Sequence, residues 1–137
     1  MSRRKARENV FLYLYQLEFR NIEELSLPEQ KELFLREYPM EADALSYFEL
    51  LSSEILQLKS ELDELYVPLL KGWTLERLPK IDIVLLRIAV YEMTKRNDIP
   101  KSVSINEAVV LAKKYSTDDA KGYINGVLGK IEECQNT

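Results

Sequence analysis

Four cations stand within the first seven residues, Arg3, Arg4, Lys5 and Arg7, with no acid among them. The chain as a whole carries a formal net charge of −4. The chemistry open to such a cluster is the binding of an anion. The same residues open an amphipathic pattern that runs through Ala6, Val10, Leu14 and Leu17. A helix start is already partly positive, so acids normally collect there, and each cation placed there costs about 0.3–1 kcal/mol at low salt. A bound anion offsets that cost. Backbone N–H groups and basic side chains together suit phosphate. The other reading of the cluster is a short solvated arm at a chain terminus.

The elements that must position this cluster and the rest of the surface are helical. Only four glycines and five prolines punctuate the sequence, and the stretches between them have helical period rather than strict alternation. The first helix is expected from Arg3 to Arg20, followed by a turn through Asn21 and Glu23-Glu24. Pro28 suits the first residue of a second helix, through Leu33, Phe34 and Tyr38, and Pro39 ends it. Leu45, Phe48, Leu51, Ile55, Leu58, Leu62 and Leu65 lie on one stripe and predict a long third helix from Asp43 to the stop at Pro68. A short helix and turn around Gly72-Trp73 and a helical turn at Glu76–Leu78 come next. The segment from Ile81 to Val90 is apolar almost all round and predicts a central, enclosed helix. Arg87 within it calls for a salt bridge at the core edge.

Ser104-Ile105-Asn106-Glu107 matches a capping box, which places a helix start there and assigns Asn106 and Glu107 to capping. Ser116-Thr117-Asp118-Asp119 opens the last helix, with the aspartates at its positive end. That helix carries Gly122, Gly126 and Gly129, poor helix formers whose presence suggests close approach of another backbone or a ligand. No segment argues for a sheet. The fold class is therefore all-α, a bundle of about seven helices.

Composition bounds the chemistry. At 137 residues the chain is one domain by length, long enough to bury a core without metal or disulfide staples. It is 46% hydrophobic and 31% charged, which fits a soluble globular protein. No apolar run approaches the roughly 18 residues of a membrane span, and the basic start lacks a signal peptide's apolar core. The single cysteine, Cys134, excludes an intrachain disulfide and suits a reducing cytoplasm. The absence of histidine removes the commonest general base and metal ligand. No zinc-type cysteine spacing, phosphate-cradling glycine loop or Gly-x-Ser-x-Gly is present. No catalytic group, metal or cofactor is expected.

Charge is unevenly spread. Residues 8–79 hold six basic against fifteen acidic side chains, a net of −9, and residues 80–130 hold nine against six, a net of +3. A basic face could thus join the N-terminal cluster to the C-terminal helices, while the acidic remainder would confine an anionic partner to one side.

Four blocks in register resemble the NusB family of transcription antitermination factors. They are Leu85-Leu86-Arg87-Ile88-Ala89-Val90-Tyr91-Glu92, Ile105-Asn106-Glu107-Ala108, Leu111-Ala112-Lys113 and Asn125-Gly126-Val127-Leu128, and the Arg3-Arg4-Lys5-Ala6-Arg7-Glu8 start agrees as well. The resemblance spans nearly the whole chain and is closest from Leu78 to Lys130. It implies an all-helical fold of two small packed bundles within a single RNA-binding domain, residues 1–137. It further implies a non-enzymatic, cytoplasmic protein that binds the boxA element of nascent ribosomal RNA leaders as a single strand. The small-subunit ribosomal protein NusE would share that RNA. The complex would join RNA polymerase and other Nus factors.

Carried over position by position, the resemblance assigns Arg3, Arg4, Lys5 and Arg7 to RNA phosphates, where they would supply salt-dependent affinity. It places Tyr123 near the RNA, as a stacking platform for an unpaired base or as core beside Ile124 and Val127. Tyr15 is a further RNA candidate, with core packing as its other reading. Lys121 is either a phosphate contact or plain surface. Glu76, Asp82 and Asp119 match acidic positions on the partner face, suited to a basic ribosomal protein, although Asp119 also suits the helix start. Gly122 and Gly129 depart from the family, which more often has polar or charged residues there. Two other readings remain: a helical interaction module or homodimer without direct RNA binding, and the accessory domain of an RNA methyltransferase.

Overall fold

A computed structural model describes residues 2–19, 26–70 and 74–135. Among them are seven α-helices and no strand: α1 Ser2–Phe19, α2 Leu27–Glu37, α3 Ala42–Gln57, α4 Lys59–Tyr66, α5 Lys80–Lys95, α6 Lys101–Tyr115 and α7 Ala120–Gln135. Two short 3-10 turns, Val67–Leu69 and Leu75–Arg77, lie between α4 and α5. The expected end of the first helix at Arg20, the turn through Asn21–Glu24 and the Gly72-Trp73 element fall outside the described residues. The chain divides into two compact units, residues 1–54 and 55–137, with the boundary inside α3.

The first unit is built on aromatic packing. Tyr13 of α1 meets Phe34 of α2 at 5.3 Å and Phe48 of α3 at 5.5 Å between ring centroids, and Phe34 stacks on Phe48 at 5.6 Å. Such pairs add about 0.5–1.5 kcal/mol each beyond the apolar area they bury. The start of α2 is fixed by Ser26, whose hydroxyl accepts the Glu29 N–H at 3.3 Å, with Pro28 in the first turn.

The second unit centres on α5, which packs against α4, α6 and α7. Eleven of its sixteen residues are buried, as an apolar pattern running round the whole helix requires. The expected salt bridge of Arg87 is present. Its Nε and Nη2 donate to the two carboxylate oxygens of Asp63 at 2.9 and 2.8 Å, with both side chains 12–13% exposed. Tyr66, fully buried on α4, donates its hydroxyl to the same carboxylate at 2.7 Å. Burial pushes the Tyr66 phenol well above its usual range, and the bond to Asp63 adds to the effect.

Two sequence expectations need correction. The third helix is not continuous to Pro68. It breaks at Leu58, where the backbone leaves helical geometry at φ −105° and ψ 15° before α4 begins. The apolar stripe continues through the break, so spacing alone hides it. The Ser104–Glu107 pattern is not a helix start. Helix α6 begins after Pro100, and the Ser104 N–H already bonds to the Pro100 carbonyl at 3.4 Å, so the helix has no orphan donors there to cap. The buried Ser104 hydroxyl instead donates to Glu92 Oε1 on α5 at 3.2 Å. At Gly122, Gly126 and Gly129 a Cβ would meet nothing within 4 Å, so it is open space that adjoins the three.

Candidate nucleic-acid interface

The basic cluster is the first two turns of α1. Helical periodicity divides its four members. Positions 3 and 7 are one turn apart and share a face, and both guanidinium groups lie over the ring of Tyr47 on α3, at 4.8 Å for Arg3 and 5.9 Å for Arg7. Arg7 is buried, at 5% exposure, and so is Tyr47. Arg3, Arg4 and Lys5 are exposed. The sequence grouped four equivalent cations. The structure separates three that are exposed from one that is buried, while Arg3 and Arg7 share the ring of Tyr47 in cation–π contacts worth about 0.5–2 kcal/mol each depending on desolvation.

Tyr15 is half-buried further along α1. Its ring stacks on the buried Phe11 at 5.8 Å and meets Phe19 edge-on at 4.9 Å, and Phe19 is 63% exposed. Tyr15 therefore stands in a short aromatic ladder between core and solvent.

The remaining candidates lie in the second unit. Glu76 is exposed on the Leu75–Arg77 turn, and Asp119 is exposed in the turn just before α7, where it also suits the positive helix end. Lys121 is exposed in the first turn of α7. With Asn106, Lys113, Gly122 and Asn125 it lines an open groove of about 550 Å³ between α6 and α7.

Asp82 does not occupy the surface expected of a partner contact. It is 0% exposed in the first turn of α5. One carboxylate oxygen accepts the Ser116 hydroxyl at 2.6 Å and the other accepts the Tyr123 hydroxyl. Burial holds the Asp82 carboxyl above its usual range, and the Ser116 bond partly offsets this. Tyr123 is partly exposed, and its hydroxyl end is tied inward to Asp82. No spacing rule links residues 82, 116 and 123. Their association needs α5 and α7 to be packed side by side. Tyr47 was likewise absent from the sequence candidates, and only the fold brings it under the basic turn.

Among the described residues no group of His, Cys, Asp or Glu could hold a metal ion, and no helix is long and apolar enough to cross a membrane.

The fold is that of a small all-α protein, and its surface chemistry, exposed cations and partly exposed tyrosines, is that of a binding protein. The chain belongs to the NusB family, whose family model matches residues 4–133. It is 44% identical over 132 residues to the transcription antitermination protein NusB of Agathobacter rectalis, covering 96% of this chain and 99% of that protein. The fold matches that of NusB from T. maritima with a TM-score of 0.85 at 34% identity, over 96% of this chain and 90% of that one. It also matches a chain from the crystal structure of antitermination factors NusB and NusE in complex with dsRNA. There the TM-score is 0.84 at 25% identity, with 97% of each chain covered.

Proposed function

We propose that this chain is a cytoplasmic antitermination factor that binds boxA-type single-stranded RNA in nascent ribosomal RNA leaders together with NusE and links it to elongating RNA polymerase. The observation that carries this reading is likeness over 96% of the chain to a protein named transcription antitermination protein NusB. The relative crystallised with NusE and dsRNA supports the choice of partners.

In this reading the exposed Arg3, Arg4 and Lys5 contact phosphates. Phosphate contacts fix register and supply affinity without reading sequence. Lys121 adds a further cation, and Tyr123 and Tyr15 offer ring faces to unpaired bases. Glu76 and Asp119, both exposed acids, face the basic ribosomal protein and speed its encounter. Arg7 and Asp82 serve from inside, by holding Tyr47 and Tyr123 respectively.

The test is a titration of labelled boxA-type RNA and a scrambled strand with and without NusE. NusE is expected to raise affinity for the boxA strand selectively, because two sites that share a ligand are thermodynamically coupled. Equal affinity with and without NusE refutes the joint-binding mechanism.

A further inference from the structure

We propose that Asp82 is a positioning residue that locks the Tyr123 ring as a base-stacking platform and takes its hydroxyl out of base recognition. The inference rests on the reading of Tyr123 as an RNA contact and assigns Asp82 a role in that contact rather than on the partner face.

The carboxylate is fully buried, and each of its oxygens accepts a different hydroxyl, Ser116 in the turn before α7 and Tyr123 within α7. A carboxylate with an acceptor bond on each oxygen has a fixed orientation, so it holds the tyrosine hydroxyl at one point. The ring is then fixed at its inner end, on a residue that is partly exposed. With the hydroxyl engaged inward, what the residue offers a ligand is its aromatic face. Stacking on such a face tolerates any base, since every base has a π-surface. The contact therefore supplies affinity without sequence discrimination. A ring already held in its binding rotamer also avoids the ordering cost of a mobile side chain, which amounts to about 2- to 12-fold in affinity.

The experiment measures affinity for a labelled boxA-type RNA strand, and for versions with single-base changes, across Asp82→Ala, Asp82→Asn, Tyr123→Phe, Tyr123→Ala and the double Asp82→Ala/Tyr123→Ala. Tyr123→Ala is expected to weaken binding about 5- to 150-fold, the range of one base–aromatic stack. Asp82→Ala and Tyr123→Phe each release the ring and should cost about 2- to 12-fold, equally for every base. Asp82→Asn, whose amide oxygen still accepts the tyrosine hydroxyl, should lose less. Adding Asp82→Ala to Tyr123→Ala should cost nothing more, which a purely structural role for Asp82 would not produce.

An equal loss from Asp82→Ala in both backgrounds, or no loss in either, overturns the positioning role. If Asp82→Ala does not fold, Asp82→Asn in both backgrounds and Tyr123→Phe carry the same comparison. A Tyr123→Ala variant that binds RNA normally overturns the stacking contact and the positioning role with it. RNA binding through the α1 cations is tested independently by the salt dependence of their own variants, so the two failures are distinguishable.

Discussion

The basic start of α1 offers a quantitative test, because the structure changes the number of cations that can meet phosphate. Each phosphate of a single strand neutralised by a cation contributes roughly 0.7 to the slope of log affinity against log salt. Four equivalent cations would contribute about 2.8. Only Arg3, Arg4 and Lys5 are exposed, while Arg7 is buried over Tyr47. The triple variant Arg3→Ala/Arg4→Ala/Lys5→Ala is therefore expected to lower the slope by about 2. Raising salt from about 50 to about 200 mM is a fourfold change, so these three contacts account for roughly 18-fold of the wild-type loss over that range. Arg7→Ala should leave the slope nearly unchanged and reduce folding stability instead, by about 0.5–2 kcal/mol. Fluorescence anisotropy of a labelled boxA-type strand at four or five salt concentrations gives the slopes, and urea unfolding gives the stabilities. A triple variant with the wild-type slope refutes the phosphate assignment. An Arg7→Ala slope reduced as much as that of a single exposed cation refutes the division between outward and seated charges.

Three further outcomes follow from the second unit. Asp63→Ala removes the carboxylate that Arg87 and Tyr66 share and should cost about 3–5 kcal/mol in urea unfolding, whereas a loss below about 1 kcal/mol would show that water reaches the pair. Gly126→Ala should stabilise α7 by about 0.4–1 kcal/mol, because its Cβ enters open space in a helix interior; a destabilised variant would mean that the face is covered. Asp82 is held above its ordinary value near 3.8, so the native state keeps this proton longer than the unfolded chain does. Its contribution to stability is most favourable below that value, and it declines as pH rises through the native value. The stability difference between Asp82→Asn and wild type should shift in favour of the variant over that window, and a difference constant with pH would contradict the burial argument.

Much of this architecture is legible in the amino-acid order because helical period and proline stops are local signals. Pro28 announced the start of α2, and the apolar run of α5 announced a central helix. Arg87 in that run announced its own need for a counter-charge, though not that Asp63 supplies it. The break at Leu58 was hidden because a stripe of leucines reads the same through a kink as through a straight helix. The Ser104–Glu107 pattern misled because four residues cannot reveal that the helix has already begun at Pro100. The site was harder to read. Spacing showed the cations and their shared helix, but the seating of Arg7 depends on Tyr47 forty residues away. The burial of Asp82 depends on Ser116 and Tyr123, 34 and 41 residues away. Family likeness placed Asp82 among the acids of the partner face, and only packing shows that its carboxylate faces inward.

Tyr47 makes the charged tip of α1 part of the first unit's framework rather than a tether. A ligand meeting cations mounted on that framework finds them already arrayed, so recognition begins without waiting for a floppy end to fold. The same mounting exposes the tip to distant sequence change: an exchange at position 47, itself buried, would remove the ring that two arginines share.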